Sequence, residues 1–102
     1  MRQQVVSQTD VGSSAIIPMN LDSTPFNVGF GVVISGGPTY TVQHTFDNPW
    51  TTASPVWFDH PTIAGEIANA DGNYAFPVAA IKVVITAGTG TATLTVIQAG
   101  IA

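Results

Sequence analysis

The sequence predicts an all-β fold: an antiparallel β-sandwich, jelly-roll forms included, of about six to eight short strands. Three observations carry that expectation. Ten glycines and seven prolines, with β-branched residues between them, are spread along the 102 residues and leave few stretches able to hold a helix. Residues 27–34 and 39–46 alternate with a period of two on either side of Ser35-Gly36-Gly37-Pro38. Residues 81–86 and 91–98 flank a second turn, Ala87-Gly88-Thr89-Gly90.

Taken in order, residues 1–14 are polar and lack a strand pattern, so they form a candidate extended arm ahead of a single sandwich domain at residues 15–102. Residues 15–19 are a short strand candidate. In residues 27–34, Val28, Phe30, Val32 and Ile34 share one face, opposite Asn27, Gly29, Gly31 and Val33. In residues 39–46, Tyr40, Val42, His44 and Phe46 lie opposite Thr39, Thr41, Gln43 and Thr45. The Gly-Gly turn between these runs reads as a β-hairpin. Residues 55–59 form another short strand, and residues 61–68 a single helical turn or a loop. Asp71-Gly72 reads as a tight turn before a strand over residues 73–76, stopped by Pro77. The last two runs read as a second hairpin, with Ala92, Leu94 and Val96 buried and Thr91, Thr93 and Thr95 forming a row of hydroxyls.

Charge is the unusual feature of the composition. Hydrophobic residues make up 45% of the chain, but charged residues only 8%, against about 25% in a typical soluble domain. That combination excludes disorder, which pairs low hydrophobicity with high charge. Two basic residues and a net charge of −4 argue against nucleic acid and against anionic membrane surfaces as partners. Residues 1–10 lack the charged-then-apolar pattern of a secretion signal, and no run is long enough to span a bilayer. Without cysteine, disulfides and thiolate metal sites are impossible. Proteins that live free in solution usually rely on charge to stay dispersed, whereas interfaces are depleted in charge at their centres. The composition therefore suits a protein that spends its life docked.

No residue pattern points to catalysis, a metal or a cofactor. His44, Asp47, Asp59, His60 and Glu66 offer imidazoles and carboxylates, but at no metal-binding spacing. His44 falls on an apolar strand face, and Asp47-Asn48-Pro49 and Asp59-His60-Pro61 read as turn chemistry. None of the serines lies in a Gly-x-Ser-x-Gly elbow. The candidate functional residues are instead those of a surface. Gly29 and Gly31, beside Val33, leave one strand face nearly bare, and glycine in a strand often marks close approach by another backbone. The threonine rows at Thr39, Thr41 and Thr45 and at Thr91, Thr93 and Thr95 offer flat neutral faces. Trp50, in a loop after Pro49, is the candidate exposed aromatic.

Across residues 21–98 the chain resembles a family of small tailed-bacteriophage structural proteins. The resemblance rests on Tyr40-Thr41-Val42-Gln43-His44-Thr45-Phe46-Asp47, Trp57-Phe58-Asp59-His60-Pro61 and Ala70-Asp71-Gly72-Asn73-Tyr74-Ala75-Phe76-Pro77, and on residues 81–91 running into Leu94-Thr95-Val96-Ile97-Gln98. It implies a non-enzymatic capsid decoration (cement) protein, dimeric or trimeric, that sits on the capsid exterior and clamps neighbouring capsid subunits. A cysteine-free chain fits assembly in the reducing host cytoplasm. Another virion part (tail, fibre or head-to-tail connector) and a carbohydrate-binding module built on exposed aromatics are the competing expectations.

Overall fold

A computed structural model describes residues 4–19, 28–48, 50–51, 53–74 and 78–98. Nine strands form among them: β1 (Gln4–Thr9), β2 (Gly12–Ser13), β3 (Ile17–Pro18), β4 (Val28–Gly36), β5 (Thr39–Thr45), β6 (Trp57–Asp59), β7 (Ala70–Tyr74), β8 (Ala80–Ala87) and β9 (Gly90–Gln98). Sheet I has the order β1-β9-β4-β7, and sheet II the order β2-β8-β5-β6 with β3 also on β8. Every pairing between these strands is antiparallel. The fold is thus an all-β sandwich, and its interleaved strand order is that of a jelly roll. The strand count exceeds the expected range because β2 and β3 are two-residue pairings along one partner.

The core lies between the sheets. Val28, Phe30 and Val32 of β4, Tyr74 of β7, and Ala92, Leu94 and Val96 of β9 point inward from sheet I. Tyr40 and Val42 of β5 and Ile81, Val83 and Ile85 of β8 meet them from sheet II. This is the period-two pattern of the sequence turned into burial, each large side chain contributing about 1.5–3 kcal/mol.

The positions of β4, β5, β8 and β9 follow the sequence closely; their partners do not. The two expected hairpins are not hairpins. β4 and β5 lie in opposite sheets, as do β8 and β9. An alternating run beside a turn specifies a chain reversal, but not whether the strands lie side by side or face each other across a core. Distant pairings decide it: β4 aligns with β9 from Val28↔Gln98 to Gly36↔Gly90, and β5 aligns with β8. The two arching turns then stack, the Gly37 N–H donating to the Thr89 carbonyl at 2.9 Å. Gly88 has φ +79°, and a Cβ there would overlap the Gly37 carbonyl, so this turn needs glycine.

Two further expectations change. Residues 4–13, part of the stretch assigned to an arm, contribute a strand to each sheet; residues 1–3 lie outside the described residues. β1 runs along β9 from Gln4↔Val96 to Thr9↔Thr91. Asp10, at φ 60°, turns the corner, its N–H donating to the Gly90 carbonyl at 2.8 Å and its carboxylate accepting from the Gly90 N–H at 3.2 Å. β2 then pairs with β8. Asp71-Gly72 is no turn but the middle of β7, where a Cβ on Gly72 would lie 2.9 Å from the Phe30 ring. The second half of the strand expected at residues 73–76 lies outside the described residues. Residues 61–68 contain no helix; Glu66 bridges to Tyr40 and covers part of the β5 edge.

Candidate subunit-docking face

The inward parity of sheet I fixes what points outward. β9 presents Thr91, Thr93, Thr95 and Ile97; β4 presents Gly29, Gly31, Val33 and Ser35; β1 presents Val5, Ser7 and Thr9; β7 presents Asp71 and Asn73. Six of the seven sequence candidates, Gly29, Gly31, Val33, Thr91, Thr93 and Thr95, therefore share one face. Gly31 sits directly beside Thr95, and Val33 beside Thr93. Trp50 is the exception. It is 63% exposed, but in the connection between β5 and β6 of the other sheet.

The glycines are bare without any need internal to the chain. A Cβ at Gly31 would meet nothing within 4 Å, and one at Gly29 would only touch the Ile97 carbonyl at 4.0 Å. Neither has a positive φ. Glycine inside a strand costs about 0.5–1 kcal/mol relative to alanine, so this fold alone would be better served by side chains there. Shallow grooves of about 300 Å³ flank β4 on both sides: Gly29, Phe30, Gly31, Thr95 and Ile97 line one, and Val33, Ala70 and Asp71 border the other. Val5, Val33 and Ile97 are exposed at 54–60% around them. Asp71 is the one ionised side chain on this face among the described residues.

The hydroxyl rows divide. Thr93 and Thr91 bond to Ser7 and Thr9 of β1 at 3.1 and 3.0 Å, so part of their polarity is met within the sheet. The other row is not an open surface. Thr41 and Thr45 are 5% and 0% exposed; Thr41 accepts from the Gly65 N–H at 3.0 Å and Thr45 from the Asp47 N–H at 3.1 Å. Loops that follow β5 cover this row, which alternation alone cannot reveal. Ile97 and Val5 were missed as candidates. Ile97 breaks the threonine parity of β9, a usable signal, whereas Val5 and Val6 stand side by side and show no alternation.

The imidazoles and carboxylates are committed to structure. His44 Nδ1 lies 2.9 Å from the Tyr74 hydroxyl. His60 Nδ1 accepts from the Thr62 and Ile63 N–H groups at 3.1 and 3.2 Å, so Nε2 carries the proton it donates to the Asn73 carbonyl at 3.0 Å. Asp59 accepts from Gln43 and Asp47 from the Val56 N–H, both at 2.9 Å. Burial, then the neighbouring His60, lowers the His44 pKa, while Asp59 opposes the shift. Burial also lowers that of Lys82, whose ammonium stands 4.2 Å over the Trp57 ring. No group of three or more His, Cys, Asp or Glu could hold a metal ion among the described residues.

Fold and face together define a class: a small jelly-roll sandwich with one flat, glycine-floored side that carries a single charged residue, Asp71, among the described residues. A solved chain from Bacillus endospore appendages, which form a novel family of disulfide-linked pili, shares this fold. Its TM-score is 0.52 at 13% identity, over 99% of this chain and 87% of that one. No protein family matches the sequence, and no curated protein matches it significantly.

Proposed function

We propose that this chain is a non-enzymatic structural subunit that packs against other protein subunits through the outer face of sheet I, and that it serves as a decoration protein on a phage capsid. The observation that carries the packing role is the bare pair Gly29 and Gly31, which nothing inside the chain requires. A face whose one charged side chain, Asp71, sits on an edge strand can be buried with its centre free of stranded charge. The capsid setting rests on the resemblance of residues 21–98 to phage virion proteins. In that setting the partners are the major capsid protein and further copies of this chain, on the capsid exterior, and many weak contacts add up over a symmetric shell.

A second assembly, a filament, is favoured by the shared fold with the Bacillus appendage chain. Disulfide links are closed to this chain, which has no cysteine. Copy number in purified phage particles separates the readings. A decoration protein is present in numbers commensurate with the capsid subunits. A few copies per particle would indicate a tail or connector part, and absence from particles together with filaments of the purified chain would support the filament.

A further inference from the structure

The docking reading leaves the occupant of the face open, and the relief of the face points to one. We propose that a second copy of this chain covers sheet I, in a two-fold packing that seats Val33 of each copy over Gly31 of the other; this rests on the docking reading above. Knob and hollow are neighbours on one strand. Val33 is 60% exposed, and two residues away Gly31 floors the groove with nothing within 4 Å of its missing Cβ. A two-fold axis lying in the interface, across the strands and between positions 31 and 33, reverses β4 and brings Val33 opposite Gly31 in both directions. Self-complementarity of this kind is what an isologous dimer requires.

Charge and area agree with that occupant. β1, β4 and β9 carry no ionised side chain, so a strongly charged partner has nothing to pair with, while a neutral copy strands nothing. Asp71 lies on the edge strand β7, where water screens the two symmetry-related carboxylates. The four strands hold six, nine, nine and five residues. At about 3.3 Å per residue and 4.8 Å per strand they span roughly 450 Å² before side-chain relief. Two copies thus bury about 900 Å², just under the ~1,000 Å² of a stable specific interface, so the dimer is weak and forms reversibly with concentration.

Because the chain has no cysteine, cross-linking reads the register directly. Val33→Cys and Gly31→Cys copies are mixed and oxidised beside a Thr86→Cys control on sheet II, and wild type and Gly31→Arg are compared by sedimentation over a concentration series. The expected result is a mixed Val33–Gly31 disulfide in excess over either homodimer, and a dimer dissociation constant raised at least tenfold by Gly31→Arg. A wild-type monomer at all concentrations, with cross-linking no greater than the control, would overturn the inference. If Gly31→Arg were nevertheless lost from particles, the docking reading would survive with a different occupant. A dimer indifferent to Gly31→Arg would overturn the proposed register and face.

Discussion

His44 Nδ1 and the Tyr74 hydroxyl meet at 2.9 Å across the core, joining β5 of sheet II to β7 of sheet I. Tyr74 is fully buried, and burial, reinforced by Asp59, pushes its phenol well above the usual range, so it keeps its proton. The His44 and His60 rings both stand edge-on to Tyr74, at 4.8 and 4.9 Å between centroids. Tyr74→Phe removes the bond between sheets while keeping the ring. It should cost about 1–2 kcal/mol, read as a lower urea midpoint at unchanged slope. An unchanged midpoint would contradict this role.

The same buried imidazole sets a pH dependence. The His44 pKa is lowered in the folded state, so the unfolded chain takes up its proton first as pH falls. Stability is therefore full above the unfolded value of about 6.5 and declines below it until the folded value is passed. Urea midpoints measured from pH 8 to pH 5 should fall from about pH 6.5 downward. His44→Gln should flatten that part of the profile, and a wild-type profile flat over this range would contradict the account.

Two glycines should respond in opposite ways to valine. Gly72→Val drives a side chain into Phe30, and Ile63 Cγ1 stands 3.3 Å from the Cβ position; overpacking of this kind costs about 1–3 kcal/mol. Gly31→Val meets nothing and should stabilise the isolated chain by about 0.5–1 kcal/mol. Thermal melts of both variants check the contrast, and destabilisation by Gly31→Val would mean that the fold itself requires the bare position.

Trp50→Ala should leave both stability and docking within error, since the ring is exposed in the β5–β6 connection and away from sheet I. Melting and particle binding measure the two effects. Loss of particle binding with stability kept would move the docking site to sheet II.

The one-sided burial of β4 and β9 was legible in the sequence because both strands alternate cleanly, and that parity also found Gly29, Gly31 and Val33. The partners were not legible. Gly36-Gly37 and Gly88 mark reversals, and only the distant β4–β9 and β5–β8 registers turn those reversals into arches. β1 was hidden because an edge strand needs just one inward apolar residue, and Val6 alone packs on the core from it. The burial of Thr41 and Thr45 depends on loops that approach from elsewhere in the chain.

The central claim, that sheet I docks other subunits, is tested most directly by the occupancy of Gly31→Arg on assembled particles, normalised to wild type at equal fold stability. The expected result is a correctly folded chain whose occupancy falls at least tenfold. Full occupancy of the folded variant would contradict the claim.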